Sequence, residues 1–239
     1  MCDHCGCSTN HHHGSDDIPQ KQRVQLEQDV LAHDKQHAES LRSKLRKSNS
    51  YMINVVGSPG CGKTALIAEL IFRLKEKNIK TAVIEGDLAT DNDAKRIAKT
   101  GAPVYQVTTG TACHLSAHDV EHAVEHLGAS EETLIIVENV GNLVCPSMFD
   151  IGESLRLVCL SVTEGTDKPQ KYPVSFREAN LAIISKCDLL EYVDFDISES
   201  SQMMRQIHPD LDILQTSAKS GLGIEELAER IAGLCRKEP

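Results

Sequence analysis

Between an apolar run, Tyr51 to Val56, and a helical pattern opening at Ala65 lies Gly57-Ser58-Pro59-Gly60-Cys61-Gly62-Lys63-Thr64. A G-x-x-x-x-G-K-[ST] stretch in that setting restricts the fold strongly, because it serves only as the turn from a buried strand into a helix. Gly57, Gly60 and Gly62 let the backbone aim its N–H groups inward, with Cys61 carried in the same loop, and the helix start adds its positive end. Lys63 is placed to reach the β/γ phosphates of a nucleotide and Thr64 to ligate Mg²⁺.

The rest of the chain fits a sheet built around that turn. Apolar runs recur at Thr81–Glu85, Val104–Val107, Leu134–Val137, Leu155–Val162, Leu181–Ser185 and Ile213–Gln215, with helical stretches after most of them. Near-continuous apolar strands are covered on both faces, so the expected fold is α/β: a doubly wound, mostly parallel sheet with its ligand at the carboxyl ends of the strands.

Which nucleotide binds is legible further on. Ser185-Lys186-Cys187-Asp188 ends a strand in an N/S-K-x-D pattern, where Asp188 accepts the two N–H groups of a guanine edge and Lys186 covers the ring. Adenine lacks the exocyclic amine and would leave Asp188 poorly paired, so the expectation is GTP. Thr216-Ser217-Ala218-Lys219 follows the next strand, with Ser217 and Ala218 placed to meet guanine O6. Asp87 and Glu138 close two strands and, with Thr64, supply hard oxygen ligands for Mg²⁺ and the attacking water. Gly141, three residues past Glu138, fits a switch glycine for the γ-phosphate. Asp91 and Asp93 read equally as helix caps or as switch residues.

Cysteine and histidine usage points to a second chemistry. Nine cysteines in a chain with no run of about 18 apolar residues, and with the non-basic start Met1-Cys2-Asp3-His4, imply a cytoplasmic protein using thiols for metal rather than for disulfides. Cys2, Cys5 and Cys7 bracket Gly6, a spacing that can bring three thiolates to one Zn²⁺ or Ni²⁺ ion. Cys113-His114, read as a helix start, and Cys145, seven residues past Glu138, form a second set if their loops meet. A second copy of the chain would close that site. Cys61, Cys159, Cys187 and Cys235 read as small core residues. His114, His118, His122 and His126 fall four apart on one expected helix, as a metal path or a solvated polar face. A net charge of −10 and 3% aromatic content exclude a nucleic-acid platform.

The expected organisation is a metal-binding tail over residues 1–19, an amphipathic helix and linker over 20–50, and a GTPase domain over 51–239. Val24, Val30, Leu31, Ala38, Leu41 and Leu45 form the stripe of the helix.

Taken together, Cys2-x-x-Cys5-Gly6-Cys7, Gly57 to Thr64, Glu85-Gly86-Asp87, Thr109 to Leu115, Glu138 to Pro146 and Ser185-Lys186-Cys187-Asp188 resemble the HypB family of hydrogenase nickel incorporation proteins. The resemblance spans the whole chain. It implies a GTPase of the signal-recognition and nickel-chaperone type that dimerises with GTP and helps insert nickel into [NiFe]-hydrogenase. HypA and the hydrogenase large subunit are the partners it implies. It further implies a high-affinity nickel site at Cys2, Cys5 and Cys7, and a zinc or nickel site at Cys113, His114 and Cys145. The chain departs from the family in carrying Cys61 where Ser is usual, and its few N-terminal histidines do not make a storage tract. A urease-type accessory GTPase would carry Cys-Pro-His where Cys145-Pro146-Ser147 stands. A nickel- or zinc-buffering protein with a vestigial nucleotide site is the reading from another class.

Overall fold

The computed structural model describes residues 20–87, 92–110, 112–128 and 131–236, with the side chains of 20–33, 87 and 92 outside that description. Cys2, Cys5, Cys7, Asp91 and the side chain of Asp87 therefore lie outside the described residues.

Seven strands form one parallel sheet: β1 Tyr51–Gly57, β2 Lys80–Asp87, β3 Val104–Thr108, β4 Thr133–Glu138, β5 Leu155–Ser161, β6 Leu181–Ser185 and β7 Asp212–Gln215. Their order is β3-β2-β4-β1-β5-β6-β7, each neighbouring pair parallel. All seven apolar runs of the sequence are strands, extended by a residue or two at some ends and, at β5, ending one residue earlier. The helices are α1 Gln20–Lys47, α2 Lys63–Glu76, α3 Asn92–Ala98, α4 Ala117–Leu127, α5 Cys145–Met148, α6 Lys168–Lys171, α7 Pro173–Arg177, α8 Ile197–Ile207 and α9 Ile224–Cys235. A 3₁₀ turn covers Cys187–Tyr192.

Alternation along each strand divides the core in two. Ile53 and Val55 of β1 and Ile183 of β6 face α2 and α9, where Leu70, Ile71, Leu227 and Ile231 are buried with them. On the opposite face, Met52, Ile84, Ile135 and Val137 meet Leu41 and Leu45 of α1 and Val120 and Ala123 of α4. Further along that face, Val158, Leu160 and Ile184 pack with Phe176 of α7 and Met204 of α8. Both faces are covered, which is why the strands read as unbroken apolar runs.

The chain divides into a unit of Met1–His33 and a compact unit of Asp34–Pro239. Within the second, Ala38 and Leu41 are fully buried, and Asp34 Oδ1 accepts from the Ala117 N–H at the start of α4. Among the described residues no helix is long and apolar enough to cross a membrane.

Candidate functional site

The loop leaves the carboxyl end of β1, which lies between β4 and β5 where the strand order reverses. It has the backbone its glycines require: Gly60 and Gly62 sit at φ 74° and 98°, and Gly62 caps α2. An L side chain at either position would be strained. Lys63 and Thr64 are both buried; Lys63 Nζ lies 3.3 and 3.4 Å from the Gly57 and Ser58 carbonyl oxygens, to which it donates. The cavity over the loop holds about 470 Å³ and is lined by Gly60, Lys63, Thr64, Glu85, Glu138 and Gly141, among others.

Cys61 contributes backbone only. Its side chain is fully buried, and a Cβ built on Gly57 would meet its Sγ at 2.7 Å. The thiol is therefore on the core side of the loop, beside Cys159 of β5. Hydrogen bonding to Cys61, with burial second, pushes the Cys159 thiol well up. Ser185 Oγ donates to the Cys61 carbonyl at 2.6 Å, fixing the loop to β6.

Behind Thr64 stand two carboxyls. Thr64 Oγ1 donates to Glu138 Oε1 at 2.8 Å. Glu85 of β2 lies directly across the ladder from Glu138, and both are buried. Burial, and next the charge of Glu138, push Glu85 up to about 10. Burial raises Glu138 as well, with Lys63 pulling the other way. The sequence reading passed over Glu85 in favour of Asp87, although a glutamate near the carboxyl end of a strand otherwise buried was a visible signal. Asp93, in the first turn of α3, lines the same cavity.

The residues expected to read the base meet at an adjoining cavity of about 340 Å³ that shares Gly62, Ala65 and Lys186 with the cavity over the glycine loop. Asp188, Ala218 and Lys219 line it. Ser217 Oγ donates to Asp188 Oδ1 at 2.6 Å, holding the carboxylate in place. Lys186 adopts φ 58°, a left-handed conformation costing a side-chain residue roughly 1–2 kcal/mol. Its ammonium donates to the Gly60 carbonyl at 2.6 Å, tying the base loop to the phosphate loop.

The Cys/His set is brought together only in part. Cys113 is exposed, and its Sγ lies 3.7 Å from His114 Nδ1. Hydrogen bonding to Cys145 is the main cause that raises the Cys113 thiol, so the two loops meet. His114 stacks on Phe149 with ring centroids 4.0 Å apart, and burial lowers its pKa, favouring the neutral imidazole a metal needs. Among the described residues no three His, Cys, Asp or Glu side chains are gathered closely enough to hold an ion.

The four-histidine stripe does not form as expected. Ser116 caps α4, accepting from the Asp119 N–H while Asp119 accepts from the Ser116 N–H, so the helix begins at Ala117 and His114 stands before it. His118 instead meets His37 of α1, ring centroids 4.9 Å apart, while His122 and His126 pair at 4.1 Å.

Asn139, the residue after Glu138, joins the two centres. Its Oδ1 accepts from the Leu115 and Val140 N–H groups at 3.1 and 3.0 Å, and its Nδ2 donates to Asn54 Oδ1 at 3.2 Å. Gly86 allows the approach: a Cβ there would meet Leu115 Cδ1 at 2.9 Å. On the other side Gly141 lies against Pro59, where an added Cβ would be 3.0 Å from the ring. The loop bearing Cys113 thus rests on the end of the strand bearing Glu138.

Residues 51–215 match the family model described as CobW/HypB/UreG, nucleotide-binding domain. The chain is 44% identical over 209 residues to the hydrogenase maturation factor HypB of Azotobacter vinelandii, covering 87% of this chain and 69% of that one. The crystal structure of HypB from Archaeoglobus fulgidus superposes with a TM-score of 0.80 at 36% identity, over 86% of this chain and all of the other. HypB from Helicobacter pylori in complex with nickel gives 0.79 at 38%, over 85% and 95%.

Proposed function

The chain belongs to the CobW/HypB/UreG nucleotide-binding family, among its HypB hydrogenase maturation factors, and on that premise we propose that it is a GTP-driven nickel chaperone whose hydrolysis cycle sets the state of a nickel site. Nickel is its cargo; GTP and Mg²⁺ operate the switch.

The residues suit Mg²⁺. A hydroxyl at Thr64 and buried carboxyls at Glu138 and Glu85 form an oxygen donor set, and one oxygen of each carboxyl, Oε2, has no hydrogen-bond partner among the described residues. Thr64 and Glu138, with Asp87, would hold the ion, which when bound neutralises charge developing on the phosphates. Lys63 and the loop amides balance the remaining phosphate charge. Asp188 reads guanine, held by Ser217, and Lys186 closes the base cavity against Gly60.

Asn139 carries the coupling. It is the neighbour of Glu138 and the hydrogen-bond acceptor for Leu115, so a shift at the end of β4 on γ-phosphate loss moves the Cys113-His114 loop. Cys145 opens α5, at the end of the same outgoing loop. Cys113, His114 and Cys145 bind Ni²⁺ or Zn²⁺, and a GTP-dependent partner copy completes the shell. The nickel arrives through Cys2, Cys5 and Cys7 and from HypA, and leaves to the hydrogenase large subunit in the cytoplasm.

Lys63→Ala tests the switch. The expected result is loss of both GTP hydrolysis and nickel transfer to a chelating acceptor. Transfer at the wild-type rate with hydrolysis abolished would overturn the switch and favour a metal-buffering protein.

A further inference from the structure

Glu85 and Glu138 come from adjacent strands and are register partners, so their side chains leave the same face at the same height. Glu85 is 2% exposed and Glu138 4%, yet both line the phosphate cavity. Each has one oxygen, Oε2, buried without a hydrogen-bond partner among the described residues. Two buried carboxyls side by side, each with an oxygen that no described residue satisfies, make a poor structural pair, because buried polar groups are normally hydrogen-bonded. Glutamine at either position would supply donors at nearly the same shape. The arrangement makes sense where a cation enters from the cavity.

The donor chemistry indicates the class of cation. Glu85, Asp93 and Glu138 line the cavity together with Lys63, Arg96 and Lys186; the Lys63 ammonium is engaged with the Gly57 and Ser58 carbonyl oxygens and the Lys186 ammonium with that of Gly60. Two neighbouring carboxyls next to a threonine hydroxyl offer hard oxygen donors, which select a hard divalent ion that keeps part of its water. Thr64 and Glu138 have been given the direct contacts; Glu85 stands beside them with an oxygen to spare.

We infer that Glu85 is a positioning residue for the divalent cation that accompanies the nucleotide, orienting the ion's water from beside Glu138 and setting the ion's affinity. The inference rests on the reading of this cavity as a Mg²⁺–nucleotide site. It gives β2 a function in the cavity independent of Asp87.

Mn²⁺ in place of Mg²⁺ makes the test spectroscopic. The full chain is titrated with Mn²⁺ with and without GDP, following free Mn²⁺ by electron paramagnetic resonance, so that the GDP-dependent site is separated from the thiol sites. Glu85→Gln should weaken GDP-dependent Mn²⁺ binding by about tenfold or more and alter the bound-ion line shape. GDP affinity in excess chelator should stay within about twofold, and the melting temperature should not fall. Glu85→Asp should recover part of the Mn²⁺ affinity. Unchanged Mn²⁺ affinity in Glu85→Gln would overturn the inference while leaving the nucleotide reading intact. An equal loss of cation-free GDP affinity would assign Glu85 a structural role and overturn it too. If the wild-type chain bound no GDP, the nucleotide reading itself would fail, and the inference with it.

Discussion

Replacing Asn139 with alanine should both destabilise the protein and disconnect its two centres. The side chain is 1% exposed and makes three hydrogen bonds, to the Leu115 N–H, the Val140 N–H and Asn54 Oδ1. All three partners are buried. Leaving such groups unpaired costs about 1–3 kcal/mol each, reduced where the loop relaxes toward water, so a total of about 2–4 kcal/mol is expected. For a domain of this size that is a fall of roughly 5–15 °C in melting temperature. Instability alone would not test the coupling, and Asn54→Ala provides the comparison. It removes one partner of Asn139 but leaves the Leu115 bond in place, so it should lower the melting temperature while preserving nucleotide control. The assay is nickel affinity with GDP and with a non-hydrolysable GTP analogue, taken as a ratio. In Asn139→Ala the ratio should fall toward one; in Asn54→Ala it should stay near the wild-type value. A wild-type ratio in Asn139→Ala would refute Asn139 as the connection.

Asp188→Ala should weaken GTP by about 10²–10⁴-fold, since two N–H bonds to a carboxylate contribute about 1.5–3 kcal/mol each, while ATP binding stays weak and nearly unchanged; competition against a fluorescent nucleotide measures both. Glu121 gives a pH dependence. Although burial opposes it, hydrogen bonds from Lys44 and then His37 hold its carboxyl down at about 2, against an ordinary 4.5. A lowered carboxyl pKa stabilises the fold above the unfolded value and loses that contribution as pH falls through the folded one. The packing of α1 on α4 should therefore weaken between about pH 4.5 and 2, and Glu121→Gln should flatten that part of the melting-temperature profile. An unchanged profile would exclude this ion pair as the cause.

The sheet was legible in the sequence because every strand is covered on both faces and reads as an apolar run. The phosphate loop was legible because its glycines are needed for backbone reasons, visible at Gly60 and Gly62 as positive φ. Asp188 and Ser217, 29 residues apart in sequence, were expected at one site because each follows a strand of the same sheet, and their side chains are hydrogen-bonded. What stayed hidden depends on tertiary neighbours. Glu85 becomes significant only beside Glu138, through a β2–β4 pairing that no local pattern gives. Asn139 reads as a loop residue until Leu115 is placed against it. His114 was misplaced for a local reason that was available: Ser116-Ala117-His118-Asp119 is a capping-box spacing and starts the helix after the histidine. Cys61 was read both with the nucleotide loop and as a small core residue, and its thiol is in the core.

The account stands on one claim, that nucleotide state controls metal affinity. Nickel titration of the full chain with and without a non-hydrolysable GTP analogue, with molecular mass followed through the titration, tests it directly. The account predicts that the analogue changes nickel affinity by about fivefold or more and raises the mass to that of two chains. One nickel affinity in both states, on a chain that remains a monomer, would contradict it.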